Sequence, residues 1–104
     1  MFIAIVQIPG SKRTVEEAIA GGKASTPTYA GMDGLISKHY LNGDTGGGGV
    51  YIWESREKAE AWFNHDWWPM MEERFGTRPT LTCYDNHIVV DNINGEIRVD
   101  GVAQ

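Results

Sequence analysis

The first segment of the chain, FIAIVQI at residues 2–8, is apolar on both of its alternating faces. Phe2, Ala4 and Val6 share one face, and Ile3 and Ile5 share the other. This β-branched pattern predicts a strand that is covered on both sides. The segment at residues 49–54 has the same property, so the sheet of this chain needs apolar cover on two faces.

Two helical regions follow from capping signals and spacing. Thr14 and Glu17 form a capping box, so a helix begins after Thr14. Gly21-Gly22 disfavours a helix and Thr26-Pro27 favours a new start, which together predict a broken helix over about residues 15–29.

The second helical region follows Ser55, which is typical of an N-cap. Apolar residues recur at helical spacing up to Phe75. Pro69 would clash in a continuous helix, which predicts a break at residues 64–66. Pro69 then lies in the first turn of a second helix, and Gly76 ends that helix.

The remaining segments alternate as strands. The alternation of apolar residues predicts the second strand at residues 34–41 and the third strand at residues 49–54. Residues 42–48 between them are predicted to form a glycine-rich hairpin loop. Residues 80–90 predict a long or bulged fourth strand. Asn94-Gly95 is a hairpin signal, after which residues 96–99 form a C-terminal strand with a frayed end.

The order β, α, β, β, α, β predicts one α+β domain over residues 1–104 with the ferredoxin-like topology. Its antiparallel sheet carries both helices on one face, followed by a C-terminal hairpin strand. An uncovered apolar sheet face typically marks an interface. We therefore expect a homodimer in which two sheets face each other around a two-fold axis.

Charge and cysteine content exclude several function classes. The net charge is −5 and no basic run occurs, which disfavours nucleic acid and anionic membranes as partners. The single cysteine, Cys83, excludes an intrachain disulfide and makes a Cys-based zinc site unfavourable. No metal or cofactor is expected, and the short apolar start without a basic lead predicts a cytoplasmic protein.

The stretch GLISKHYLNGDTGGGGVYIWE, residues 34–54, resembles the small monooxygenases of the dimeric α/β-barrel superfamily, which includes antibiotic-biosynthesis monooxygenase-like domains. The similarity lies in Gly34-Leu35, Lys38, residues 48–57, residues 59–62 and Asp91. It implies the ferredoxin-like fold and the dimeric barrel. Members of the superfamily include cofactor-free oxygenases of aromatic polyketides, haem-degrading enzymes and isomerases.

Candidate site residues are the histidines and the aromatic side chains. We expect His65, beside Asp66 at the helix break, or His39, on the second strand, to act as a general base. His87 is a third histidine, and the alternative for each of the three, which the residue type favours, is a satisfied or exposed histidine with no chemical role. The predicted pocket residues are Tyr51, Trp53, Trp62, Trp67 and Tyr84, for which plain core or dimer packing is the alternative.

Together with the resemblance, these residues suggest a cofactor-independent monooxygenase. It would act on a small aromatic of the quinol or anthrone type, in a pocket between helices and sheet. A non-catalytic small-molecule-binding or stress-related dimer is one alternative. A haem-handling protein that binds iron through His65 or His39 is another.

Overall fold

The computed structural model describes residues 1–104, which form a mixed α+β structure with three helices and two antiparallel sheets. The helices are α1 (Val15–Tyr29), α2 (Arg56–Trp62) and α3 (Trp67–Phe75). The strands are β1 (Phe2–Pro9), β2 (Leu35–Gly43), β3 (Gly46–Trp53), β4 (Thr80–Asp85), β5 (Ile88–Asp91), β6 (Glu96–Val99) and β7 (Val102–Ala103). None of the helices has the length and hydropathy needed to cross a bilayer.

The larger sheet has the strand order β2-β3-β1-β4, and every neighbouring pair is antiparallel. Ala4 pairs with Tyr51 on one side and Cys83 on the other, so these three side chains share a face. The helices pack against this face and form the core with it. The buried apolar members are Phe2, Ala4, Val6, Tyr51, Trp53, Ala59, Trp67 and Met71.

The opposite face of this sheet is also apolar along its two central strands. Ile3 and Ile5 of β1 pair with Ile52 and Val50 of β3, and all four side chains are half-buried. Ile36, Leu41 and Tyr84 are exposed large apolar side chains on β2 and β4. The expectation that both faces of β1 and β3 are apolar is confirmed, and only one of them carries the buried core.

Helix α1 is continuous, so the predicted break at Gly21-Gly22 is wrong. The capping box is confirmed, because the Thr14 hydroxyl accepts from the Glu17 N–H and the Glu17 carboxylate accepts from the Thr14 N–H. Pro27 cannot donate to the Lys23 carbonyl four residues earlier. The Thr26 hydroxyl donates to that carbonyl instead, at 2.9 Å, which compensates for the missing bond.

The predicted hairpin between the second and third strands is present, but its glycine run is strand rather than loop. Strand β2 extends to Gly43 and β3 already begins at Gly46, so Asp44-Thr45 forms a tight connection. Ile8 and Gln7 of β1 pair with Gly47 and Gly48. Backbone pairing on both sides of β3 therefore orders a segment whose composition is typical of a flexible loop.

The second helical region has the predicted break. Helix α2 ends at Trp62 and α3 begins at Trp67. Ser55 caps α2 by accepting from the Lys58 N–H, and Gly76 ends α3 in the left-handed conformation with φ 68°. Pro69 occupies the third position of α3, where its missing N–H costs no hydrogen bond.

The predicted long fourth strand divides at Asn86-His87. Strand β4 joins the larger sheet, whereas β5 pairs with β6 and β7 in a separate three-stranded sheet that contacts the rest of the chain little. The hairpin at Asn94-Gly95 is confirmed, and Gly95 has φ 66°. The predicted frayed end is wrong, because β7 pairs with β6.

Candidate functional site

A cavity of about 360 Å³ lies between the helices and the larger sheet. Helices α1 and α3 form its walls, and strands β1, β2 and β3 form its floor. Its volume falls at the lower end of the range that small-molecule sites occupy, roughly 300–1,000 Å³. A small aromatic ligand fits such a space.

Lys38 lines this cavity and is surrounded by three tyrosine rings. Its Nζ is 3.6 Å from the ring centroid of Tyr29, 4.1 Å from that of Tyr40 and 4.8 Å from that of Tyr51. Lys38 and Tyr51 are register partners on β2 and β3, so the sheet fixes their contact. No carboxylate lies within ion-pair distance of the lysine.

Burial lowers the pKa of the Lys38 ammonium from its ordinary value of 10.5 to about 8, and the positive charge of Arg74 adds to the lowering. The three ring faces attract the ammonium form, but they do not replace the water that burial removes. Lys38 is therefore a site where a neutral amine is accessible at mildly alkaline pH, which is the condition for a general base or a nucleophile.

The hydroxyls of Tyr29 and Tyr51 beside Lys38 stay protonated. Burial is the main cause that raises the pKa of both Tyr29 and Tyr51 above their ordinary value of 10.0. The Ser25 hydroxyl donates to the Gly22 carbonyl at 3.0 Å, so its contact of 2.7 Å with the Tyr40 hydroxyl uses the tyrosine proton. Tyr29 and Tyr51 thus provide hydrogen-bond donors inside the cavity.

The glycines of β3 give the cavity its floor. Gly46, Gly47 and Gly48 line it directly. Gly48 has φ 139°, and a Cβ at that position would overlap the Val6 carbonyl oxygen. A Cβ at Gly49 would lie 3.1 Å from Cε of Lys38 and 3.2 Å from Cε1 of Tyr51. The missing side chains leave room for the lysine and for the space beside it.

Two arginines line the same cavity at its exposed edge. The Arg13 backbone N–H donates to the Asn42 side chain and the Arg13 carbonyl accepts from it, both at 3.0 Å, which ties the loop before α1 to β2. The Arg13 guanidinium lies against Gly21 of α1, where a Cβ would be 2.7 Å from Nη1. Arg74 reaches the cavity from α3, opposite α1.

Of the five predicted pocket residues, one, Tyr51, lines the cavity. Trp53 and Trp67 are fully buried in the core, where both pack edge-on against Phe63. Trp62 packs edge-on against Tyr29, behind the cavity wall. Tyr84 pairs with Ile3 and lies on the opposite face of the sheet, 54% exposed.

Neither candidate histidine lines the cavity. The His65 side chain is 92% exposed between α2 and α3, 3.5 Å from the Asp66 carboxylate. His39 pairs with Val50 rather than with Tyr51, so it lies on the sheet face that the helices leave open, 3.3 Å from the Ser37 hydroxyl. The axial ligands of the haem alternative are therefore outside the cavity. The third histidine, His87, contacts Asp100 at 2.7 Å beside the C-terminal sheet.

The residues that sequence reasoning missed are the cations of the cavity and Tyr29, above all Lys38. A signal for Lys38 existed, because it lies between apolar residues on an alternating face of a predicted strand. Arg13 and Arg74 gave no such signal, since both read as solvated surface. No group of three His, Cys, Asp or Glu side chains is arranged to hold a metal ion.

Comparison with known proteins adds no further assignment. A scan against protein-family models found no match, and neither did a search of curated proteins.

Proposed function

We propose that this protein is a cofactor-independent monooxygenase that oxidises a small aromatic of the quinol or anthrone type in the cavity around Lys38. The observation that carries the proposal is a half-buried lysine, with no carboxylate partner, in a cavity walled by aromatic rings. The resemblance of residues 34–54 to the small monooxygenases of the dimeric α/β-barrel superfamily supports the same reaction class.

In the proposed reaction, the Lys38 amine removes a proton from the substrate, which becomes an electron-rich anion. This anion reacts directly with oxygen. One oxygen atom enters the substrate and the other leaves as water. An anthrone becomes an anthraquinone, and a quinol becomes a hydroxyquinone, so the substrate supplies all four electrons that reduce the oxygen. Tyr29 and Tyr51, which stay protonated, donate hydrogen bonds to the developing oxyanion.

We propose the ferredoxin-like βαββαβ arrangement for this chain, and a homodimer formed through the open sheet face. The strand order β2-β3-β1-β4, with helices on one face, supports the first part. The apolar row of Ile3, Ile5, Val50 and Ile52 supports the second, because such a row is stabilised when it is covered. Two sheets packed in this way would form the dimeric barrel.

Oxygen uptake by the purified, metal-stripped protein tests the proposed reaction on a panel of anthrones, hydroquinones and related phenols. We expect uptake above the uncatalysed rate without added flavin or metal. Lys38→Met should lower it by about 100-fold or more, as expected when a general base is lost. Lys23→Met, which removes an exposed lysine of α1 outside the cavity, is the matched control and should keep the wild-type rate.

Equal uptake by the wild type and Lys38→Met would contradict the proposed base.

A second candidate function is a small-molecule-binding protein that uses the same cavity without chemistry. The cavity favours it as much as it favours an enzyme, because binding requires only the space and its lining. Thermal stabilisation by apolar aromatics, with no uptake on any member of the panel, would favour this second function.

A further inference from the structure

The distribution of unpaired cations singles out the cavity. The chain has nine lysines and arginines, of which five form ion pairs with carboxylates. The four without such a partner are Arg13, Lys23, Lys38 and Arg74. Three of these four line the cavity, and only Lys23 lies elsewhere.

No acidic side chain lines the cavity to balance these charges. This is unusual in a protein whose net charge is −5, with 14 aspartates and glutamates available. Burial is the main cause that lowers the pKa of Lys38, and the positive charge of Arg74 adds to the lowering. Three cations that face one partly enclosed space, without a counter-charge, are stabilised by an anion bound among them.

We propose that the cavity selects an aromatic anion, namely a substrate that carries a carboxylate on its oxidisable ring. The guanidinium groups of Arg13 and Arg74 match a planar carboxylate, which an arginine binds through two parallel hydrogen bonds. The rings of Tyr29, Tyr51 and Phe75 line the same space and suit an aromatic ring. The volume of about 360 Å³ suits a small aromatic ligand.

This inference rests on the proposed function for the oxidisable hydroxyls. It gives the arginines and the lysine different roles. Arg13 and Arg74 lie at the exposed edge and hold the carboxylate, since an arginine remains charged at every relevant pH. Lys38 lies deeper, among the rings, and remains available to accept a proton from a ring hydroxyl. The carboxylate also offsets the charge of Arg74 when substrate is bound.

Calorimetry without oxygen tests the inference by comparing two probes of the same shape. 2,5-Dihydroxybenzoate is a quinol with a carboxylate, and 2,5-dihydroxybenzamide is its neutral isostere. We expect the wild type at pH 7 to bind the carboxylate at least tenfold more tightly than the amide. Arg13→Gln and Arg74→Gln should each weaken carboxylate binding by about tenfold or more, with little effect on the amide.

Lys23→Gln is the matched control, because it removes an unpaired cation that does not line the cavity. It should leave both affinities unchanged. The backbone of Arg13, not its side chain, bonds to Asn42, so Arg13→Gln keeps the loop in place. Equal affinity for the two probes, or an equal loss in Lys23→Gln and Arg13→Gln, would overturn the inference.

The outcome separates this inference from the proposed function. Carboxylate-selective binding in a protein that consumes no oxygen would refute the oxygenase and leave the anion site standing. Oxygen uptake with neutral quinols, accompanied by equal affinity for the two probes, would refute the anion site and support the oxygenase.

Discussion

Lys38 is the residue around which the candidate site is built. Its ammonium loses water on burial and gains contact with the faces of Tyr29, Tyr40 and Tyr51. Its pKa of about 8 lies below the ordinary 10.5. Between these two pH values the unfolded chain binds more protons at this position than the folded chain. The contribution of Lys38 to the unfolding free energy therefore rises with pH across that window.

Gly21 of α1 allows a prediction in which stability and binding move in opposite directions. Alanine is the better helix former, so Gly21→Ala should raise the unfolding free energy by about 1 kcal/mol. Its Cβ would displace the Arg13 guanidinium, whose Nη1 lies 2.7 Å from that position. We therefore expect weaker binding of 2,5-dihydroxybenzoate, measured by calorimetry alongside urea unfolding.

Gly22→Ala is the control for this variant. Its Cβ would lie 3.5 Å from the Tyr40 ring, an ordinary contact, so it should stabilise the helix by a similar amount and leave binding intact. If both variants bind the carboxylate as the wild type does, the contact with Gly21 does not set the position of the Arg13 guanidinium in the site.

At the level of single residues, the sequence shows which side chains are aromatic or titratable, but it does not show which face of the sheet they occupy. Tyr51, one of the predicted pocket residues, lies on the cavity side of β3. His39 was expected at the cleft, but the bulge between Leu35 and Ser37 shifts β2 so that Lys38 faces the cavity instead. A bulge of one residue reverses every later side chain, and no composition rule locates it.

The elements follow the sequence wherever local chemistry decides their bounds. The capping box at Thr14, the cap at Ser55 and the end at Gly76 were all predicted from adjacent residues. Such signals succeed because each depends on one or two hydrogen bonds within a few residues.

Elements whose form depends on a compensating hydrogen bond, whether distant or local, were not predicted. The run Gly46–Gly49 is poor strand material, yet β1 and β2 pair with it on both sides and order it. The Lys23 carbonyl, which Pro27 leaves free, is satisfied by Thr26, so α1 runs through the proline. In both cases the compensating bond wins over intrinsic propensity.

The whole molecule is more extended than its length requires. Its radius of gyration is 14.9 Å, against roughly 13 Å for a compact domain of about 100 residues. The three-stranded C-terminal sheet accounts for this, because it contacts the larger sheet little. Its residues Ile88, Val90 and Val102 are each 64% exposed.

The proposed homodimer can be tested through one side chain of the open sheet face. By light scattering at micromolar concentration, the wild type should have twice the 11.5 kDa mass of one chain. Ile5→Asp places a charge in the apolar row and should give the monomer mass, because an unpaired charge in an interface is costly. Ile93→Asp, at a residue 96% exposed in a turn, should remain dimeric. A monomeric wild type would refute the dimer.

The claim that Lys38 is the reactive group of this molecule is tested most directly by its own titration. Magnetic resonance of lysine labelled at Cε, with Lys38→Met to assign the signal, gives the pKa in the folded protein. The account predicts about 8 for Lys38, while Lys58, whose pKa the Asp33 carboxylate raises, titrates above 10.5. A Lys38 signal that titrates together with that of Lys58 would contradict the proposed base and the site built around it.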